Sequence, residues 1–398
     1  MVATGTLLTF VVAALASLFM AWAIGAGSSG STPFAAAVGA NAISVMRAGF
    51  IVGVLGLSGA ILQGANVTEA VGTELVVGSV LTATASTVAL LVAAALVAIG
   101  VFAGYPIATA FTVTGAVVGV GLANGGGPAI AKYQQIVSLW VLTPFVGGGI
   151  AYGTARLLRN ESIPERTAVP VLGGVVGLLI ANIRFAALGG DGGRSLAEVD
   201  AAATPPIVHP LVYVDRGVAV VSGLFVAVAA ALVRREMNAD QARGQRRFLL
   251  VLGGLVAFSA GGSQVGLAIG PLVPLLDAVA VPLPALLVGG GLGLLVGSWT
   301  GAPRMIKALS QDYSSLGPRR SIAAMIPSFA IAQAAVALGI PVSFNEIIVS
   351  AIIGSGYAAG GAGVSREKMA KTALAWVGSL VLAFGVAYAT FAGVDALI

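Results

Sequence analysis

What most constrains this chain is a series of apolar runs, each of about 17 to 25 residues with almost no ionisable side chain, separated by short polar breaks. A helix needs roughly 20 residues to cross about 30 Å of hydrocarbon, so runs of this length and purity are bilayer crossings. Composition agrees: 58% of the 398 residues are hydrophobic and 9% charged, more apolar surface than a water-soluble domain can bury. The 56 glycines would weaken soluble helices, but membrane helices use small residues for close packing and for local unwinding beside protein-lined cavities.

The expected fold is an all-α polytopic membrane protein with about 12 transmembrane segments. Apolar runs place them near 5–41 (interrupted), 43–62, 76–100, 106–122, 133–156, 168–188, 207–232, 248–276 (interrupted), 283–302, 318–338, 340–360 and 372–396. The first run, about Leu7 to Ile24, lacks a basic leader and a cleavage site and reads as a retained helix. The net charge of +5 comes from Arg and Lys in short loops, where positive-inside bias explains it and nucleic acid is not implied. Arg156, Arg159 and Arg166 mark one cytoplasmic loop, and Arg234, Arg235, Arg243, Arg246 and Arg247 another. Between them, residues 189–206 carry Asp191, Glu198 and Asp200 against Arg194, as an external loop would. Alternation then puts residues 303–320 and 363–371 inside and both termini outside a multi-pass protein of the cell membrane.

The two ends of the chain match each other. Pro106 and Pro341 lie 235 positions apart, and Gly119, Gly121, Gly125 and Gly126 recur at the same offset as Gly354, Gly356, Gly360 and Gly361. Trp140 and Trp376 are 236 apart. The basic 303–320 loop corresponds to residues 63–75, which have Glu69 and Glu74 but no Lys or Arg. Equivalent loops with opposite charge bias predict two inverted-topology repeats, residues 1–156 and 248–398, around a central helix pair and basic loops at 157–247. Such a duplication suits a transporter working by alternating access; a channel, receptor or membrane enzyme could share it.

In such folds a substrate binds near the midplane where helices are interrupted. Breaks are expected at Gly25 to Phe34 and at Ser259 to Pro271. Ser28, Ser29, Ser31 and Thr32 in the first, and Gly261, Gly262, Ser263 and Gln264 in the second, could offer hydroxyls and exposed amides to an anion. Pro106 and Pro341 read as the first residues of two further helices, with Thr109 and Thr112, and Ser343 and Asn345, near their N-termini. Glu346 is the lone carboxylate of these last two segments and is expected to serve a coupling ion, with Gln264 as a second candidate. Asp277 lies toward a span end. His209, the only histidine, reads as an interfacial side chain. No nucleophile–base set or metal-ligand spacing appears and there is no cysteine, so neither an enzyme nor a bound metal or other cofactor is expected, beyond Na+ or H+ as coupling ion.

At these segments the sequence resembles the inorganic phosphate transporter (PiT) family over nearly its whole length. Gly261 to Pro271 keeps the frame of that family's Gly-Ala-Asn-Asp-Val-Ala-Asn motif, and Gly25 to Phe34 matches it with one extra residue. Pro106 to Phe111 and Pro341 to Glu346 align with its Pro-Val-Ser-Thr-Thr-His segments; the stretches around Trp140 and from Met305 to Ala324 agree further. The resemblance implies a secondary active transporter that moves phosphate across the membrane with Na+ or H+, in two inverted halves, and a homodimer is compatible with it. The chain departs where the family has Asn-Asp: Gly27 and Ser28 stand in one half, Ser263 and Gln264 in the other, so both motif aspartates are missing. Losing those acceptors raises sulfate or another oxyanion as the alternative substrate. A non-transporting anion-binding membrane receptor is the alternative of another class.

Overall fold

The computed structural model describes residues 4–185, 188, 193–199, 207–209, 212–214, 216–311, 313, 316–360 and 364–397. Each expected segment holds a helix. Among the described residues nine helices, some with their flanking turns, are long and apolar enough to cross a membrane. These are α1 (Thr4–Ile24), α3 (Val45–Gln63), α5 (Ala83–Ala103), α7 (Ile130–Arg159), α10 (Arg216–Ala239), α11 (Gln241–Ile269), α13 (Leu283–Thr300), α15 (Pro318–Leu338) and α17 (Arg366–Asp395). Three others fall short: α6 (Thr109–Ala123), α8 (Glu165–Ala181) and α16 (Phe344–Tyr357). At 1.5 Å per residue, α6 and α16 span only about 22 Å, less than the hydrocarbon thickness. The remaining helices are short: α2 (Ala35–Gly39), α4 (Ala65–Thr73), α9 (Leu196–Val199), α12 (Leu276–Val279) and α14 (Ala302–Gln311). Three antiparallel ribbons of two or three residues per strand close loops, the first pairing Val76–Val77 with Gly127–Pro128.

The apolar patterning runs all round most of the long helices, as it must where one face meets protein and the other lipid. Leu8, Phe50, Phe102, Phe145 and Leu374 stand exposed on outer faces, while Met20, Ile24, Phe34 and Phe329 are wholly buried. The ends of the chain are interleaved rather than separately packed: α17 lies along α6, α16 along α7, and α11 along α3. Gly261 allows the last of these, since a Cβ there would stand 1.9 Å from the carbonyl oxygen of Gly56.

The two short helices are produced by the same local chemistry. Gly104, at φ +72°, ends α5, and Gly339, at φ +59°, ends α15; both adopt the left-handed conformation that only glycine takes without strain. An extended link holding Pro106 or Pro341 follows, and the next helix begins at Thr109 or Phe344. The prolines are therefore not the first helical residues that the sequence suggested. Their carbonyls are taken by tryptophans from the opposite end of the chain, with Trp376 Nε1 donating to Pro106 O at 2.8 Å and Trp140 Nε1 to Pro341 O at 2.9 Å. Held by those bonds, the links stay extended for two more residues.

The expected breaks also differ. Between Gly25 and Ser29 the first helix widens into a π-helical turn and stops, as expected at that glycine-rich stretch. The second does not break at residues 259–264: α11 continues to Ile269 and only then tightens into a 3-10 helix, Gly270–Leu275. Over that stretch it packs closely on α3, with Gly261 against Gly56 and Gly262 against Gln63.

The basic loops gather at one end of the bundle. Glu165 accepts from Arg319 and from the amides of Gln241 and Gln245, which joins the loops following α7 and α10 to the start of α15. Arg246 Nε donates to Ala42 O at 2.8 Å. Of the acidic loop, Asp191 and Asp200 lie outside the described residues, as does the side chain of His209.

A buried polar node at the helix breaks

Four residues singled out from the sequence, on four different elements, meet in or border one buried cluster. Gln264 projects from α11 and is fully buried. Its Oε1 accepts from Thr109 Oγ1, at the start of α6, at 2.8 Å and from Ser28 Oγ, on the π-helical turn, at 3.1 Å. Its Nε2 donates to Val342 O, in the link before α16, at 2.6 Å. Asn345, in the first turn of α16, donates through Nδ2 to Gly27 O at 3.0 Å and to Ile107 O at 2.7 Å. One glutamine and one asparagine thus tie together both short-helix entrances and the first-helix break. Ser28 and Gln264, which stand where the motif would have aspartate, are direct partners.

The node carries no formal charge. Three buried groups on the node's residues or their chain neighbours have no hydrogen-bond partner: the hydroxyl of Ser263, next to Gln264, the hydroxyl of Ser343, next to Val342, and Asn345 Oδ1. Because the Asn345 amide nitrogen is committed to two carbonyls, its oxygen is fixed as an acceptor. Buried polar atoms normally find partners, so an unpaired set of two hydroxyls and one acceptor is what a polar ligand would satisfy.

The other expected site residues divide by what they bind. Ser31 and Thr32 donate to Ser28 O at 3.2 and 3.0 Å and Thr112 to Ala108 O at 2.9 Å, so these hydroxyls satisfy helix ends. Ser29 is buried beside them. Gly261 and Gly262 are corrected: both sit inside a continuous helix, their amides are not freed by a break, and their role is close packing on α3. Asp277 is exposed on α12.

Glu346 is 1% exposed and is the only buried acidic or basic side chain among the described residues. Its Oε2 has no partner. It lines an apolar groove between α7, α16 and α17 together with Phe111, Trp140 and Trp376.

Sequence reading missed the anchoring function of Trp140 and Trp376, seen only as markers of internal similarity. It also missed a second polar cluster, in which Gln63 Nε2 donates to Gln333 Oε1 at 3.1 Å and to Arg184 O at 2.7 Å, while Gln333 Nε2 donates to Ser259 Oγ at 2.6 Å. Lone glutamines in apolar helices were the signal that could have found it.

Apolar helices that cross the bilayer repeatedly and close around an uncharged polar node make this a multi-pass membrane protein. Comparison with known proteins narrows the class. The model of the phosphate transporter family matches residues 24–387, and the chain belongs to that family. A Thermococcus kodakarensis protein named "Putative phosphate permease TK2061" is 26% identical over 392 residues, covering 92% of this chain and 94% of its own. "Inorganic phosphate transporter 2-1, chloroplastic" from Arabidopsis thaliana is 24% identical, covering 91% of this chain and 68% of its own. A solved structure named "The sodium-dependent phosphate transporter" superposes with a TM-score of 0.80 at 21% identity, covering 98% of this chain and 100% of that one, a likeness of fold.

Proposed function

We propose that this protein is a secondary active transporter that carries inorganic phosphate across the cell membrane, driven by a cation gradient. The observation that carries the reading is the node's mixture of unpaired groups. Hydrogen phosphate presents oxygens that accept and a P–OH that donates, so it needs hydroxyls and at least one acceptor; sulfate needs donors alone. Ser263 and Ser343 supply donors and Asn345 Oδ1 the acceptor. Leaving that acceptor buried and unpaired would cost about 1–3 kcal/mol, enough to favour phosphate over sulfate by about fivefold to a hundredfold. With no Lys or Arg at the node the anion is held by dipoles rather than fixed charge, which permits release.

The proton is the preferred coupling cation, with Glu346 as its acceptor, because an ionisable group kept inside the membrane without a partner is costly unless it works. Sodium, on which the similar solved transporter depends by its name, is the other candidate, with Gln264 Oε1 as a ligand. The 235-residue correspondence of Gly104, Pro106 and Thr109 with Gly339, Pro341 and Phe344 supports two inverted repeats, 1–156 and 248–398, flanking the central 157–247 segment. Twelve segments, counting the three short helices, would then place both termini outside and let the halves exchange conformations around the node.

Uptake of labelled phosphate and labelled sulfate into proteoliposomes, under separately imposed H+ and Na+ gradients, tests this. Phosphate should accumulate under the H+ gradient, and Asn345→Leu should lower phosphate uptake more than sulfate uptake. Absence of phosphate accumulation under both gradients would overturn the assignment.

A further inference from the structure

The groove that holds Glu346 is a second recognition feature, separate from the polar node. Its volume is 660 Å³, within the usual range for small-molecule pockets. Its two walls repeat each other across the chain: Val137, Trp140 and Val141 on α7 face the groove, as do Ala373, Trp376 and Val377 on α17, each pair 236 positions apart. At its base stand Glu346 and Phe111, themselves 235 apart, so one end of the chain contributes a carboxylate where the other contributes a ring. Phe111 stacks on Trp140 with ring centroids 3.8 Å apart. The walls open outward: Val141 and Val377 are more than half exposed on helices whose outer faces meet lipid. Glu346 Oε2 has no hydrogen-bond partner, and among the described residues no basic side chain lines the groove.

An acyl chain would fill such a space but leave the carboxylate unanswered. A hydrophobic cation answers both parts: its charge pairs with the carboxylate, its apolar body packs on the walls, and the aromatic faces attract its positive end. We propose that the α7–α16–α17 groove binds a membrane-dissolved organic cation of the alkylammonium class, its charged head against Glu346 and its tail between Trp140 and Trp376. The site shares Glu346 with the proposed coupling step, so an occupant would block that step from the lipid side.

The test uses the full chain in phosphatidylcholine nanodiscs and a dodecyltrimethylammonium ion brominated in its tail, which quenches nearby tryptophan fluorescence. Brominated dodecanol is the uncharged counterpart. Saturable quenching should be tighter for the cation than for the alcohol by at least about tenfold. Glu346→Gln should remove that preference, and Ala373→Phe, on the exposed wall, should block both probes by filling the groove. Equal affinity for the two probes, a preference surviving in Glu346→Gln, or no saturable quenching would each overturn the proposal. Cation-selective quenching with no effect on phosphate uptake would sustain the site and remove the coupling role of Glu346 instead.

Discussion

Replacing Gln264 by leucine isolates the central bond set of the node. The change keeps the side chain's approximate volume in a fully buried position and removes three hydrogen bonds, to Ser28, Thr109 and Val342. In membrane proteins such bonds average about 0.6 kcal/mol each, so the three together are worth about 2 kcal/mol. The remaining contact between Thr109 Oγ1 and Ser28 Oγ, at 3.5 Å, is too long to recover much of this. The loss falls on the alignment of four elements at once: the first-helix break, the start of α6, the link before α16, and α11. Gln264→Leu should therefore lower the apparent thermal stability of the purified protein modestly and phosphate uptake steeply, by about 30-fold if the full 2 kcal/mol is withdrawn from the bound state. Paired measurements of thermal unfolding and proteoliposome uptake separate the two effects. Wild-type uptake in the leucine variant would refute the idea that this node organises the transport site.

Three further outcomes follow from the geometry. Gly261→Val would drive side-chain atoms into the Gly56 carbonyl, where a Cβ alone stands at 1.9 Å, and should cost about 1–3 kcal/mol of stability or more, read as a lowered unfolding temperature. Trp376→Phe and Trp140→Phe each remove one indole bond to a proline carbonyl, at 2.8 and 2.9 Å; each should destabilise by about 1 kcal/mol and lower uptake, and similar effects from the two would show that both links are held alike. Glu346→Gln should abolish phosphate accumulation driven by an imposed proton gradient while leaving phosphate counterflow, which needs no net proton movement; unchanged accumulation would remove Glu346 from the coupling scheme.

Much of the fold was legible in the sequence because the bilayer imposes a simple rule. A helix must satisfy its own backbone and cover about 20 residues, so apolar run lengths mark the crossings regardless of what packs on them. The abrupt stops before α6 and α16 were readable from Pro106 and Pro341, although the sequence put each helix start at the proline and the structure puts it three residues later. The charge pattern at Arg156 to Arg166, Arg234 to Arg247 and Arg304 to Arg320 marked the loops that meet around Glu165.

What the sequence could not give was set by contacts between distant segments. Where between Ser259 and Pro271 the α-helix gives way depends on how α11 packs against Gly56 and Gln63 of α3, which no local pattern in α11 reveals. Whether a hydroxyl is free depends on which carbonyl lies within reach: Ser31, Thr32 and Thr112 look like Ser263 and Ser343 in sequence, yet the first three are bound to nearby carbonyls and the last two are not. Glu346 was visible as an isolated carboxylate, but its place in an apolar groove rather than among the node's hydrogen bonds follows from how α16 sits between α7 and α17. The sequence by itself determined the solvent, the helices and the polar side chains set among them, because those depend on hydrophobic length and side-chain chemistry. Only the tertiary structure decided which of those residues share a site, because that depends on where carbonyls and side chains hundreds of positions apart come within hydrogen-bonding distance.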